Sequence, residues 1–387
     1  MTNPTGAETT GRYLVLLEPD AVDEGARALN QLAGLRLADP TVEGPADEFD
    51  GVMLRELGVA VVTAAPEQAA VLARVVTEPG PVTVVEPERV VRAIGPAAPA
   101  AQPWSITETS LTWGLQAIRA DASPATGAGV RVAVLDTGLD LYHPDLTGRT
   151  IVSRSFISTE QVQDGHGHGT HCIGTACGPR FPAVLPGYGV AYRSEIYVGK
   201  VLSNRGSGVD GGILEGINWA AGNGCRVASM SLGAPTQPGQ PYSQVFEQVA
   251  QRAMQLGTLI IAAAGNDSDR SSGYIAPVAH PANCPSIMAV GAVDAQYRIA
   301  NFSNGSDIGQ IDLVGPGVDV YSSWPMPTRY RRLNGTSMAT PHVAGVAALI
   351  AEQQQARPDQ IWVRLTQSAR RLNLPSRDVG AGLVQAV

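Results

Sequence analysis

Short, near-continuous apolar runs constrain the fold before any motif is considered. Val130–Leu135, Glu195–Val201, Val227–Leu232, Thr258–Ala264 and Ser286–Val290 are the right length for strands, and segments of helical spacing such as Gly211–Ala221 and Gln244–Leu256 separate them. A strand apolar on both faces must be covered on both faces, and parallel sheets achieve this by crossing over through helices. The sequence therefore predicts an α/β domain whose parallel sheet lies between two helical layers. Ahead of it, Tyr13–Glu18 reads as a strand and Pro19-Asp20 opens a helix through about Leu32. Leu57–Thr63 alternates as a strand, Pro66–Val76 reads as a helix opened by proline, and Val82–Glu86 reads as a further strand. That succession suits a small α+β domain. Leu37–Arg55 yields no reading, and Gly95–Pro103, rich in Pro and Ala without periodicity, reads as a linker. The expected organisation is a tail over 1–11, a small domain over 12–94, a linker over 95–103 and the large domain over 104–387.

At 387 residues and 44% apolar content the chain has material for a large core, and size alone suggests two domains. A net charge of −8 argues against a nucleic-acid partner, which selects for a basic face. No apolar run approaches the ~20 residues needed to span a bilayer, so no membrane partner is expected. Met1–Gly11 is polar and lacks the charged-then-apolar pattern of a signal segment, which predicts a cytoplasmic protein. A secreted one is expected instead if a leader has been removed or export uses another route. Cys172, Cys177, Cys225 and Cys284 are too few for a disulfide framework and suit a reducing compartment as free thiols. Cys172 reads as a small buried apolar residue.

Three stretches carry chemistry. Leu333–Gly345 sets a Gly-Thr turn before a helical run, which places Ser337 near the positive end of a helix dipole. Alone, such a serine is an N-cap. Val132–Gly138 ends an apolar strand on Asp136, whose rival Asp140 sits in a turn. Asp164–Gly174 supplies His166, His168 and His171, and the glycines between them do not preform a zinc-binding face. Peptide hydrolysis needs a nucleophile, a base and a group that orients the base. Ile260–Asn266 adds an amide at the end of a buried strand, a position that also suits an αL turn residue. His143 and His342 read as structural.

All three contexts resemble the subtilase family of serine proteases, and the Cys after Gly-Thr-His makes proteinase K the nearer type. Asp, His and Ser in that chain order is also the order of subtilisin. The resemblance, which runs from Trp104 to the closing Gly382-Leu-Val-Gln-Ala, implies Ser337 as nucleophile and His168, the first His of His-Gly-Thr-His, as base. It implies Asp136 as the orienting acid, and the Asn266 side chain with the Ser337 N–H as oxyanion donors. Substrate would add as a strand between Gly206-Ser207-Gly208 and Ser231-Leu232-Gly233. Ala263, Ala264, Gly265 and Ala279 would line a roomy first pocket suited to large apolar or aromatic residues, beside a cis turn at His280-Pro281. Asp210 would sit at a more distant pocket and draw a basic residue.

The resemblance further implies that the N-terminal domain is a ferredoxin-like prodomain, a chaperone and intramolecular inhibitor ending near Val85-Glu86-Pro87. Its linker would be cut by the enzyme itself. Pro285, Ile287 and Asp312 stand where relatives bind a structural Ca²⁺. A second calcium site typical of subtilisins keeps Asp145 but loses its ligand loop to the Pro-rich Gly178–Tyr188. The expectation is a broad serine endopeptidase made as a zymogen and acting on peptides or proteins. Its rivals are a protease dedicated to one precursor peptide and a catalytically silent peptide-binding module.

Overall fold

The computed structural model describes residues 8–39, 49–95, 107–305 and 311–386. Most of the expected linker and tail lie outside the described residues. The N-terminal unit comprises β1 (Thr9–Leu17), α1 (Val22–Ala33), β2 (Leu37–Ala38), β3 (Gly51–Leu54), β4 (Val59–Thr63), α2 (Pro66–Val75) and β5 (Val82–Ala93). β1 begins inside the expected tail, and β5 runs seven residues beyond the expected Glu86. The strands order as β5-β1-β4-β3 with antiparallel pairing, and β2 adds parallel to β3. This is a β-α-β-β-α-β sheet. α1 stops where Gly34, at φ 66°, returns its N–H to Asn30 O at 2.9 Å.

The second unit begins with α3 (Trp113–Ala117), β6 (Arg131–Asp136), β7 (Ile151–Ser155), α4 (His168–Cys177), β8 (Glu195–Lys200), β9 (Ser207–Val209), α5 (Asp210–Gly222), β10 (Val227–Met230) and β11 (Leu232–Gly233). It continues through α6 (Gln244–Leu256), β12 (Leu259–Ala263), β13 (Met288–Val293), β14 (Leu313–Pro316), β15 (Val320–Ser323), β16 (Tyr330–Leu333), α7 (Thr336–Gln354), α8 (Pro358–Ser368) and α9 (Ser376–Val379). Seven strands form one parallel sheet in the order β14-β13-β12-β10-β6-β8-β7. α4 packs with α7 and α5 packs with α6, which covers both faces as the apolar runs require. α6 is bounded by its own sequence: the Ser243 hydroxyl accepts from Phe246 N–H, and Gly257 at φ 105° ends it.

The N-terminal sheet is buried on both sides for a reason visible in β1. Val15 and Leu17 pack with Leu29, Ala33 and Leu72 in a core of the unit's own. Leu14 and Leu16 point the other way and join the core that continues through the large domain. The sheet is thus sandwiched between its own helices and α5 and α6. No helix among the described residues is long and apolar enough to cross a membrane.

Candidate active site

The carboxyl ends of parallel strands are where open α/β sheets build their sites. Asp136 is the last residue of β6, Ser231 follows β10 and Asn266 lies just past β12. Asp136 Oδ1 accepts from His168 Nδ1 at 2.8 Å and from Thr137 N–H at 2.7 Å. Since the carboxylate accepts, Nδ1 carries the proton and Nε2 is left as the basic nitrogen. Both side chains are buried, and His168 Nε2 has no partner among the described residues.

His168 is the first residue of α4 and enters it from Gly167 at φ 101°, where a Cβ would lie 2.4 Å from the Trp324 ring. Only glycine brings the loop in along this path. The residue that sequence reasoning missed is Asp164. Its Oδ1 accepts from Thr137 Oγ1, His166 N–H and Gly167 N–H at 3.0, 2.9 and 2.8 Å. Its Oδ2 accepts from Thr170 N–H and Oγ1 at 2.9 and 2.7 Å. One buried carboxylate therefore satisfies the amino end of α4 and joins it to the residue after Asp136. An acid four residues before His168, at a helix start, was the available signal.

Ser337 lies inside the first turn of α7, with Gly335 rather than the serine at the N-cap. Its hydroxyl donates to Ile94 O at 2.8 Å and approaches Ser231 O at 3.3 Å, while its own carbonyl accepts from Ser231 Oγ at 2.9 Å. Asn266 is oriented by Thr336, whose N–H and hydroxyl both donate to Oδ1 at 2.9 Å. This turns Nδ2 outward, where it donates to Gly95 O at 2.9 Å. A Cβ on Gly335 would sit 2.9 Å from that nitrogen, so the turn must carry glycine.

The strand between the expected substrate-flanking segments is the chain's own. Val90, Val91 and Arg92 pair antiparallel with Val209, Gly208 and Ser207, and Arg92 and Ala93 pair with Gly233 and Leu232. Ala93 N–H donates to Gly206 O at 2.8 Å and Ile94 N–H to Ser231 O at 3.2 Å. Of the expected pocket residues, Ala264 and Ala279 are joined by a backbone bond of 2.8 Å, and a Cβ on Gly265 would lie 3.2 Å from the Ala279 methyl. Ala263 is buried at the end of β12. Ile94 Cδ1 reaches within 3.5 Å of where a Gly233 side chain would begin.

Burial opposes the charged form of His168, but the Asp136 carboxylate outweighs it through charge and hydrogen bond, and the imidazole stays well above its ordinary value. Cys172 lies beneath, its Sγ 3.9 Å from His168 Nδ1 and donating to Ser337 O at 3.5 Å. Burial pushes this thiol up, which keeps it neutral. All four cysteines are free and buried. His171, the last histidine of the Gly-His-Gly-Thr-His stretch, has its Nε2 committed to Val320 O and Arg331 O. Among the described residues only Asp136, His168 and Cys172 bring three ligand-type atoms together, and that is the acid–imidazole pair with its neighbouring thiol.

The two positions at which the resemblance implies calcium sites in relatives differ here. Asp145 gives its carboxylate to Tyr188 OH at 2.7 Å, Tyr330 OH at 2.9 Å and Arg329 Nη2 at 3.1 Å. The Pro-rich loop thus delivers a phenol, and an arginine supplies the positive charge. At the other position Asp312 is 8% exposed, its Oδ2 accepts from Ala289 N–H at 2.8 Å, and Pro285 and Ile287 lie in the turn leading to β13. Two carbonyls and a carboxylate would offer oxygen donors only, the type that suits Ca²⁺.

The profile of the Subtilase family matches residues 127–382. The chain is 42% identical over 283 residues to M-protease of Shouchella clausii (strain KSM-K16), covering 72% of this chain and 69% of that protein. It is 42% identical over 283 residues to Subtilisin Savinase of Lederbergia lenta, covering 72% and 97%. Against Subtilisin DY of Bacillus licheniformis the identity is 40% over 282 residues, covering 71% and 97%.

Proposed function

Because the chain belongs to the subtilase family and is a serine endopeptidase of subtilisin type, we propose that it is made as a zymogen, with residues 12–94 as inhibitory prodomain, 95–103 as linker and 104–387 as protease. One observation carries this reading: residues 90–94 run as a strand between β9 and β11 and set the Ile94 carbonyl against the Ser337 hydroxyl. A substrate would enter by the same backbone pairing.

In the reaction Ser337 Oγ attacks the carbonyl carbon and forms the tetrahedral intermediate. Its proton turns from the Ile94 oxygen to His168 Nε2, the buried nitrogen left without a partner. Asp136 holds the ring in the Nδ1–H tautomer and stabilises the imidazolium. The Asn266 amide moves by one peptide from Gly95 O to the developing oxyanion on Ile94, joined there by the Ser337 N–H. His168 then gives its proton to the Gly95 nitrogen as the bond breaks, and water resolves the acyl-enzyme by the same steps in reverse. The bond cut in the zymogen is Ile94–Gly95. Preference falls on apolar residues before the cut, which Ile94 satisfies. Pro285, Ile287 and Asp312 would hold Ca²⁺ as a structural ion with no part in the chemistry.

Mass analysis of the purified chain tests the reading. A single cut after Ile94 is expected, absent in Ser337→Ala, and a serine-directed phosphonate should label Ser337. A cut elsewhere overturns the bond assignment. An uncut chain whose Ser337 also resists the phosphonate overturns the zymogen and the triad together.

A further inference from the structure

We propose that Asp210 and His280 form a subsite for the sixth residue before the cut, which takes that residue's peptide N–H and favours a basic side chain there. The inference rests on the reading that residues 89–94 occupy the cleft as a substrate does. Counting back from Ile94, the sixth residue is Arg89. Regular pairing with β9 ends at Val90 opposite Val209. The next N–H, that of Arg89, goes instead to Asp210 Oδ2 at 3.0 Å, and the Arg89 Nη1 lies 3.5 Å from the same oxygen. The second oxygen, Oδ1, accepts from His280 Nε2 at 3.0 Å.

These contacts close the cleft around the strand. Asp210 directly follows β9, on one side of residues 89–94. His280 belongs to the other side, since its backbone exchanges hydrogen bonds with Ala234, the residue after β11, at 2.9 and 3.0 Å. The Asp210–His280 bond therefore ties the two flanking walls together. The Phe246 ring stands edge-on to the imidazole with centroids 4.6 Å apart and holds it in place. Asp210 is fully buried and His280 nearly so. A buried carboxylate left with fewer donors is costly, which is the physical basis for requiring the sixth N–H. The other charges nearby are Glu86, 3.6 Å from the Arg89 guanidinium, Glu88, which accepts from Gly211 N–H at 2.9 Å, and Arg12 of β1, whose Nε lies 3.7 Å from Glu88. An acid at the sixth position would face Asp210 directly, whereas arginine or lysine would neutralise it.

The test uses the processed enzyme and peptides identical over the five residues before the cut. In one series the sixth residue is Arg, Ala or Glu; in a further peptide an acetyl group caps the fifth residue, so no sixth N–H exists. Loss of that N–H is expected to lower kcat/KM about tenfold, and rates should fall in the order Arg, Ala, Glu. In Asp210→Asn the amide oxygen still accepts the N–H, so dependence on chain length should persist while discrimination between Arg and Glu collapses. Asp210→Ala should lose both. Equal kcat/KM for every peptide with the unaltered enzyme overturns the subsite while leaving the protease reading intact. Cleavage of none of them, the fully matched peptide included, by enzyme freed of its N-terminal fragment overturns instead the reading that residues 89–94 occupy the cleft as a substrate does.

Discussion

Asp136 and His168 show how a burial effect and a charge effect compete at one ring. Burial alone would leave the imidazole neutral, as it does for His171 and His342, yet the adjoining carboxylate raises His168 above the ordinary value of 6.5. Attack requires the neutral ring, so protonated His168 is inactive as a base. The acid limb of kcat/KM against pH for the processed enzyme should therefore have its midpoint above 6.5. In Asp136→Asn the charge goes and the desolvation stays, so the limb should move below that of the parent while kcat falls by about 10⁴-fold. A limb at or below 6.5 in the parent enzyme would contradict the balance. At this scale the sequence was most readable. Ser337, His168, Asp136 and Asn266 each carry a distinctive local context, and the fold brings their segments to one end of the sheet. Asp164 and Thr336 were not assigned because their work is to satisfy backbone N–H groups and an amide oxygen. That role has no residue pattern of its own.

Elements were legible wherever their pattern was local. α6 matches its expected bounds because cap, stripe and terminal glycine all lie within the segment. β5 was cut short because Pro87 reads as the end of a strand. The proline is accommodated where the β1–β5 register slips between Thr9 and Tyr13, and the strand continues because its next partners, β9 and β11, lie over a hundred residues away. Long-range pairing of this kind leaves no periodic trace in the segment itself. The helices α4 and α7 carry a testable consequence of their burial. His171 on α4 is lowered to about 3 and His342 on α7 to about 4, in both cases by desolvation, with their hydrogen bonds to carbonyls opposing. The unfolded chain binds these protons near 6.5, so the stability due to the neutral rings is full above that pH and is lost as pH falls toward 4 and 3. The urea midpoint should drop between pH 7 and pH 4. The drop should be smaller in His342→Gln, which keeps a donor for Met338 O and removes the titration. An identical drop in that variant would place the acid sensitivity elsewhere.

For the molecule as a whole, the decisive interface is the one between the N-terminal sheet and helices α5 and α6, and it is held by more than apolar contact. Arg252 of α6 sends its guanidinium across to three backbone carbonyls, reaching Leu57 O at 2.6 Å, Leu17 O at 2.7 Å and Gly58 O at 3.3 Å. Glu86 of β5 accepts from Ser243 Oγ and from Gln244 N–H at 2.5 and 2.7 Å, which places a carboxylate on the amino end of α6. Neither contact involves the linker or the Ile94–Gly95 bond, so both would survive the cut proposed for that bond. The processed protein is expected to remain a complex of two fragments, with activity limited by how slowly the N-terminal one leaves. Arg252→Ala removes a charged donor of several carbonyls that are then left buried, a loss of about 1.5–3 kcal/mol, or roughly 10–100-fold in affinity. Size-exclusion of the processed variant should show the fragment leaving the complex at concentrations where the parent stays intact, with an earlier onset of peptidase activity. Arg252→Lys keeps the charge but reaches fewer carbonyls, and its release should fall between the two. Equal retention in all three proteins would mean that the strand in the cleft alone holds the unit, and that α6 serves only as its floor.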